Sequence, residues 1–346
     1  MKCFKSLCLA ALSVLTVLNS SAFAALDKAK YPYGEVEIPA LSGAVCGATA
    51  YIAYEKKFFD EEGIKVKLTS GASFEVTRTA LATGKIPVIN GDFQYFPAVH
   101  NGVNVKLVGG IHEGCIKVLL PKNSKVKTAK DFKGKKIGVD EIGGTPMSVV
   151  SVILGNAGLN PSQDVKWVPY PNDQLVTAAE KGEIDVIAAW DPFATILEQK
   201  GYKVFSDLST DPLFAGKFCC FLFASGKLVD QKPEQIAAIL RAYYKSTKWI
   251  GQNTEEAAKI ILEKKYIPVE GTEDDLKLIT GLLKHYKHGQ THGLPKEQAK
   301  RDALYFAQEL TKTGYLPKDL DAQKFIDNLY VDIEELAKSK GSKKKK

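Results

Sequence analysis

The sequence predicts an α/β protein built as two similar lobes and finished by a helical part. Three observations predict it. Short apolar runs alternate with stretches whose apolar residues recur near every 3.6 positions, the pattern of parallel βαβ units. Two segments of the chain resemble one another in the order of their elements. Beyond residue 224 the pattern is almost wholly helical as far as residue 337.

In the first lobe VEIPAL (36–41), IKVKL (64–68), PVIN (87–90) and VKLVGG (105–110) read as strands. Helical stretches such as ATAYIAYEKKFFDEE (48–62) lie between them. CIKVLLP (115–121) leads into a second set: KKIGV (135–139), DVKWVPY (164–170), IDVIAA (184–189) and YKVFSD (202–207). FCCFLFA (218–224) follows. The expected organisation is a first lobe of residues 34–114 plus 225–337, carrying the C-terminal helices, and a second lobe of residues 115–224. The runs 115–121 and 218–224 are the two strands that cross between them.

The repeat pairs ALATGKIPVINGDF (80–93) with AAEKGEIDVIAAWDPF (178–193). Gly84 matches Gly182, Ile86 matches Ile184, Val88 matches Val186 and Ile89 matches Ile187, each 98 residues apart. Upstream, EEGIKVKL (61–68) answers NAGLNPSQDVKWV (156–168) with a short insertion. Internal repetition of this kind signals a duplicated structural unit.

Composition sets outer bounds. With 346 residues, 45% of them hydrophobic and 25% charged, the chain is ordinary globular material for one large or two medium domains. The formal charge of +7 is concentrated at the ends: Lys2 and Lys5, then Lys338, Lys340 and Lys343 to Lys346. The body between is close to neutral, so no nucleic-acid partner is inferred. Residues 338–346 read as a basic, disordered, solvated tail. Residues 1–24 have two lysines, an apolar run from Leu7 to Leu18 and then Ala22-Phe23-Ala24, the three-part pattern of a secretory signal. The apolar run is shorter than the ~20 residues a membrane span needs. Cys3 and Cys8 lie before or inside it, where a lipid-anchor cysteine does not sit. An exported, monomeric, periplasmic protein is expected.

Export permits disulfides. The mature chain keeps Cys46, Cys115, Cys219 and Cys220 with no CxxC, so no metal or thioredoxin-type signature is present. Four buried thiols, or a disulfide from Cys115 to Cys219 or Cys220, are both compatible with this pattern. His285, His288 and His292 recur at helical spacing, but Gly289 and Gly293 interrupt it, and a solvated helix end is expected there rather than a metal face.

In open parallel sheets ligands sit beyond the carboxyl ends of the strands. Those ends here carry SGAVCGAT (42–49), SGAS (70–73), GDF (91–93), DEIGGTP (140–146) and WDP (190–192). Each precedes a helix, whose free N–H groups favour an anion or a strongly polar group. Thr145 before Pro146 and Asp191 before Pro192 read as helix N-caps. Gly143 and Gly144 allow close approach of a ligand to the backbone. Trp190 and Phe93 are candidates to enclose the ligand; Ser70, Ser73 and Thr145 are candidate donors. The three arginines, Arg78, Arg241 and Arg301, lie elsewhere, which argues against a phosphate clamp. Asp92, Glu113, Asp140, Glu141 and Asp191 lie at or near the turns, so part of the ligand is cationic or donates hydrogen bonds if they point inward. Asp92 and Asp191 equally suit helix caps, Trp190 suits packing between lobes, and His112 suits either a structural or a ligand contact. No nucleophile–base pair is evident, so an enzyme is not expected; a Cys-dependent exported enzyme using Cys115 or Cys219 is the contrasting class.

The segments AYEKKFFDEEGIKVKL (53–68), ALATGKIPVINGDF (80–93), DFKGKKIGV (131–139) and GEIDVIAAWDPF (182–193) resemble the periplasmic substrate-binding proteins of ABC importers for sulfonates, taurine and nitrate. Binders of thiamine-type pyrimidines belong to the same group. The resemblance spans roughly residues 34–270. It implies a type II periplasmic-binding-protein fold that closes on a small polar, sulfonate-like or nitrate-like ligand, delivery to a permease and its ATPase, no catalysis and no cofactor. It implies ligand contacts at Cys46, Ser73, Gly91, Thr145, Trp190 and Asp191. With the strand-end residues, the candidate set adds Ser70, Asp92, Phe93, His112 and Gly144. Two departures point away from a sulfonate. Gly143-Gly144-Thr145-Pro146 stands where sulfonate binders tend to show GST. FCCF (218–221) partly resembles the cysteine run of fungal thiamine-pyrimidine synthases, which share the fold. A thiamine-precursor pyrimidine or similar heterocycle is the alternative ligand.

Overall fold

The computed structural model describes residues 26–40, 43–69, 73–287 and 296–343. The leader, and with it the expected signal, lies outside the described residues. Ten strands are present among the described residues, one for each apolar run: β1 (Glu35–Pro39), β2 (Lys65–Thr69), β3 (Val88–Gly91), β4 (Val105–Glu113), β5 (Ile116–Leu120), β6 (Lys136–Val139), β7 (Lys166–Pro169), β8 (Val186–Trp190), β9 (Lys203–Asp207) and β10 (Phe218–Ser225).

The second lobe is a five-stranded sheet in the order β7-β6-β8-β5-β9. β6 runs parallel to β7 and β8, while β5 is antiparallel to β8 and β9. The first lobe repeats this arrangement in two pieces. β1 pairs with β2 in parallel, and β10 lies antiparallel between β3 and β4. β1 abuts β3, so the sequence β2-β1-β3-β10-β4 mirrors that of the second lobe. In each lobe the fourth position is filled by the strand that has just crossed over.

That pairing corrects one boundary. β10 is a central strand of the first lobe along its whole length, so the second lobe ends before Phe218 rather than at residue 224. The cause is visible in the residues: all eight of FCCFLFAS are buried, as in a strand covered on both faces.

The repeat is also kept at the helix ends. Helix Phe74–Thr83 ends at Gly84 with φ 78°, and the segment after helix Leu175–Glu180 turns at Gly182 with φ 71°. Only glycine adopts that left-handed region at little cost, which is why both copies carry it. Two N-cap expectations need correction. Helix Thr145–Asn156 is capped at Gly144, so Thr145 is already helical and its side chain is free to point away. Helix Phe193–Gln199 starts after Pro192. Asp191 still serves it from one position earlier, accepting from Thr195 N at 3.0 Å and Thr195 Oγ1 at 2.7 Å.

The C-terminal helices do more than cover the first lobe. Helix Pro233–Gln252 packs on helix Ala48–Glu55, while helix Lys296–Lys312 packs against Thr145–Asn156 of the second lobe. Asn156 Nδ2 donates to Glu309 Oε2 there at 2.6 Å. A disordered tail from residue 338 is likewise corrected: helix Ile333–Lys343 includes its first six residues. Asp332 accepts from Glu335 N at its start, and Ile333 and Ala337 are buried, so packing of one face holds the helix. Lys344 to Lys346 lie outside the described residues. His285 is not a solvated helix end either: its ring meets Ser209 and, at 3.4 Å, Asp207. His288 and His292 lie outside the described residues. No helix among the described residues is long and apolar enough to cross a membrane.

Candidate functional site

The carboxyl ends of the parallel strands of the two lobes face one another across a cavity of about 280 Å³. From the first lobe Ser73, Phe74, Thr77, Asn90, Gly91, Asp92 and Tyr95 line it; from the second Asp140, Glu141, Gly144, Thr145, Asn172, Trp190 and Phe193 do. Cys220 of β10 forms part of the back wall. No lysine, arginine or histidine lines it among the described residues. A neighbouring pocket of about 350 Å³ shares Ala40, Gly43 and Thr69 with it and is bordered by Lys265 and Tyr266.

Of the eleven candidate residues, six line the cavity: Ser73, Gly91, Asp92, Gly144, Thr145 and Trp190. Ser70 lies outside the described residues. Cys46, Phe93, His112 and Asp191 are buried behind the wall and do not line it, which corrects their placement. Each has a packing reason. Phe93 stacks on Phe306 with ring centroids 4.2 Å apart. His112 stacks on Tyr286, its Nδ1 3.0 Å from the carbonyl of Glu113. Cys46 and His112 share a thiol cluster with Cys220. Asp191 is held by Thr195 and by the hydroxyl of Tyr286, which donates to it at 3.2 Å.

Gly91 is required by a close approach. A Cβ there would lie 2.7 Å from the Tyr95 ring, and that ring forms part of the wall. Asn90, which the sequence reading passed over, is fixed by its own amide: Nδ2 donates to the carbonyl of Cys46 at 2.9 Å. That bond sets which way its Oδ1 points. Asn90 Oδ1, Asn172 Oδ1 and the Tyr95 hydroxyl are buried without a hydrogen-bond partner among the described residues. Buried polar atoms rarely stay unpaired, and a missed bond costs about 1–3 kcal/mol. All three belong to residues that line the cavity, two from the first lobe and one from the second. The signal for the two asparagines was available, since Asn90 lies near the carboxyl end of a strand, in INGDF, and Asn172 in the turn after one, in PYPND.

The lobes touch directly across the cavity. Thr145 Oγ1 donates to Asp92 Oδ2, whose other oxygen accepts from Gln94 N at 2.7 Å. Val45 N donates to the carbonyl of Asp191 at 3.1 Å. Within the second lobe Trp190 Nε1 donates to Asp140 Oδ2 at 2.6 Å, which fixes the indole on the cavity wall.

Burial pushes Asp92 well above the usual carboxylate range, helped by the nearby Cys220 and opposed by the bonds from Thr145 and Gln94. Burial also raises Asp140, against the indole of Trp190 and the amide of Glu141. Desolvated acids of this kind are relieved by a cation or by a ligand N–H. The wall can therefore accept hydrogen bonds, hold positive charge and pack aromatic faces. Among the described residues, anion affinity there comes from helix N-termini and polar side chains rather than from a cationic side chain.

Sequence and structure comparisons agree with this architecture. The NMT1/THI5-like family model matches residues 47–257. A Bacillus subtilis chain named as an aliphatic sulfonates-binding protein is 24% identical over 293 residues, covering 81% of this chain and 82% of its own. Among solved structures, the periplasmic nitrate-binding protein NrtA of Synechocystis superposes with a TM-score of 0.70 at 18% identity, covering 88% of each chain. The alkanesulfonate-binding protein SsuA of Xanthomonas axonopodis, bound to MOPS, gives 0.67 at 16% identity, covering 84% of this chain and 97% of its own. The fold is that of periplasmic binding proteins, two lobes joined by two crossings with a helical C-terminal part. With most of its length inside the family model, the chain belongs to the NMT1/THI5-like family.

Proposed function

We propose that this chain is an extracytoplasmic solute-binding protein that captures a small amino-bearing heterocycle, of the aminopyrimidine type, and hands it to an ABC importer. One observation carries the choice of ligand. Among the described residues, the cavity lining combines Asp92, Asp140, Glu141 and two unpaired asparagine oxygens with the rings of Phe74, Tyr95 and Trp190, and includes no cationic side chain. A flat ring fills the space between aromatic faces, and its amino or protonated ring nitrogens meet the acceptors. The relatives named for sulfonates and nitrate support the solute-binding role; a sulfonate or nitrate here would face three carboxyl groups.

Binding works through the hinge. A ligand that bonds Asn90 and Asp92 on one lobe and packs on Trp190 of the other stabilises the closed arrangement, because only there are both sets of contacts made. The closed form is the one a permease reads. Calorimetry on ligand-free protein tests the ligand class, with a hydroxymethyl-aminopyrimidine, thiamine, taurine, ethanesulfonate and nitrate as the panel. The aminopyrimidine is expected to bind at least 100-fold more tightly than any of the anions. Tighter binding of a sulfonate or of nitrate overturns the ligand class.

A further inference from the structure

Behind the cavity, four cysteines from three distant parts of the sequence meet in one place. Cys115 Sγ lies 3.1 Å from Cys219 Sγ and 3.7 Å from Cys220 Sγ, and the last two lie 3.8 Å apart. Cys115, Cys219 and Cys220 have their sulfurs within 4.8 Å of one another, and so do the donor atoms of Cys46, His112 and Cys220. Cys220 belongs to both groups. His112 Nδ1 is 3.7 Å from Cys219 Sγ, and all five side chains are buried.

Neighbouring residues of a regular strand point to opposite faces, so Cys219 and Cys220 should not both reach Cys115. They do because β10 is irregular at this point. Its register against β4 shifts between Phe218 and Cys220 and again between Cys220 and Phe221. Such bulges disturb the ladder and re-aim a side chain. Here the irregularity sits in a buried central strand, and its effect is to gather three thiols. That is an observation about the backbone, independent of the sulfurs themselves.

The spacing fits a metal ion. Zinc–sulfur bonds of about 2.3 Å place the sulfurs of a tetrahedral site about 3.8 Å apart. Two of the three sulfur separations already have that value, while a disulfide requires about 2.05 Å. Thiolate and imidazole donors select soft or borderline d¹⁰ ions over magnesium or calcium.

We propose that Cys115, Cys219 and Cys220, with a fourth donor from the Cys46–His112 pair, bind one thiophilic metal ion of the Zn²⁺ class. Each ligating thiol releases its proton to solvent as its sulfur bonds the metal. The ion ties together both chain crossings, since Cys115 immediately precedes β5 and Cys219 and Cys220 open β10. It also sets the back wall of the cavity through Cys220. The inference stands apart from the ligand reading and does not need it.

The test uses the full chain, reduced and freed of metal, titrated with Zn²⁺ and with Co²⁺ as a coloured substitute. One equivalent of Zn²⁺ per chain is expected. The Co²⁺ form should show thiolate charge-transfer bands and the intense visible bands of a tetrahedral site. Cys115→Ser and Cys219→Ser should lose those bands. X-ray absorption on the zinc-loaded wild-type protein should give a first shell containing at least three sulfurs at about 2.3 Å, a readout that does not require any variant to fold. A shell of nitrogen and oxygen only, both variants keeping the bands, or a reduced wild type that binds no metal overturns the proposal. So does isolation of the chain with Cys115 and Cys219 joined in a disulfide and no metal bound after reduction.

Discussion

The two copies of the repeat meet the cavity at equivalent positions but with different chemistry. Asp92 and Trp190 occupy the same place relative to Gly84 and Gly182, and both line the cavity. Phe93 and Asp191 follow them by one residue, and both are buried behind the wall. Similar motifs, INGDF and AAWDPF, suggest instead that the two aspartates are equivalent. They are not, because the second copy reaches its aspartate one residue later. Along a strand a shift of one residue turns a side chain to the other face. So at this position of the repeat one lobe brings an acid to the cavity and the other an indole, while Asp191 is left to cap a helix.

That comparison can be broken by substitution. The largest effect is expected at Trp190→Ala. Loss of a central aromatic contact is worth about 2 kcal/mol or more in affinity, so the dissociation constant should rise at least about 30-fold with the melting temperature little changed. A collapse in stability with unaltered affinity would show that Trp190 is packing, not site.

Acid stability separates the lobes next. Burial opposes ionisation of Asp207, but its bonds with His285 and Ser209 and the nearby Lys117 bring it down to about 2. Its folded pKa lies below the unfolded value, so its contribution is present above about pH 4 and is lost as pH falls toward 2. That contribution is about 2 kcal/mol. His285 is raised, chiefly by its hydrogen bond to Asp207, against burial. Its share is present below about pH 6.5 and is lost as pH rises through its folded pKa. Asp207→Asn should flatten both limbs in denaturant unfolding measured from pH 2 to pH 8. An unchanged profile would remove this pair as a stabilising contact between the C-terminal helices and the second lobe.

The smallest effect is expected at Asp191→Asn. The cap to Thr195 weakens, which should cost about 1 kcal/mol of stability, and ligand affinity should change less than about threefold. The matching change Asp92→Asn should do the reverse, weakening binding while leaving stability intact or improved, since a desolvated acid is removed. If Asp191→Asn and Asp92→Asn behaved alike, the one-residue offset would not be the reason for their different roles.

Much of this was legible in advance. All ten strands coincide with apolar runs, and Gly84 and Gly182 announced the repeat through the turns they make. Six of the candidate residues lie on the cavity, which opens at the strand ends. What the sequence did not show depends on register and on distant contacts. Which face a side chain takes at a strand end depends on a single residue of register, and this misplaced Phe93 and Asp191. Asn90 serves the site only because the carbonyl of Cys46 holds its amide, a contact between residues 44 positions apart. The thiol cluster depends on an irregular strand and on three distant segments, so no local spacing such as CxxC could reveal it. The bridging of the lobes by helix Lys296–Lys312 depends on packing, where the sequence shows only amphipathic helix.

The central claim is that the acids and unpaired oxygens of this cavity receive a donor-bearing ring. A crystal structure of the protein with its tightest-binding panel compound tests it most directly. The account predicts a ring packed on Trp190, with N–H groups within hydrogen-bond distance of Asp92 and of Oδ1 of Asn90. An anion held instead by the backbone amides of Phe74 and Thr145, with Asp92 turned away, would contradict it.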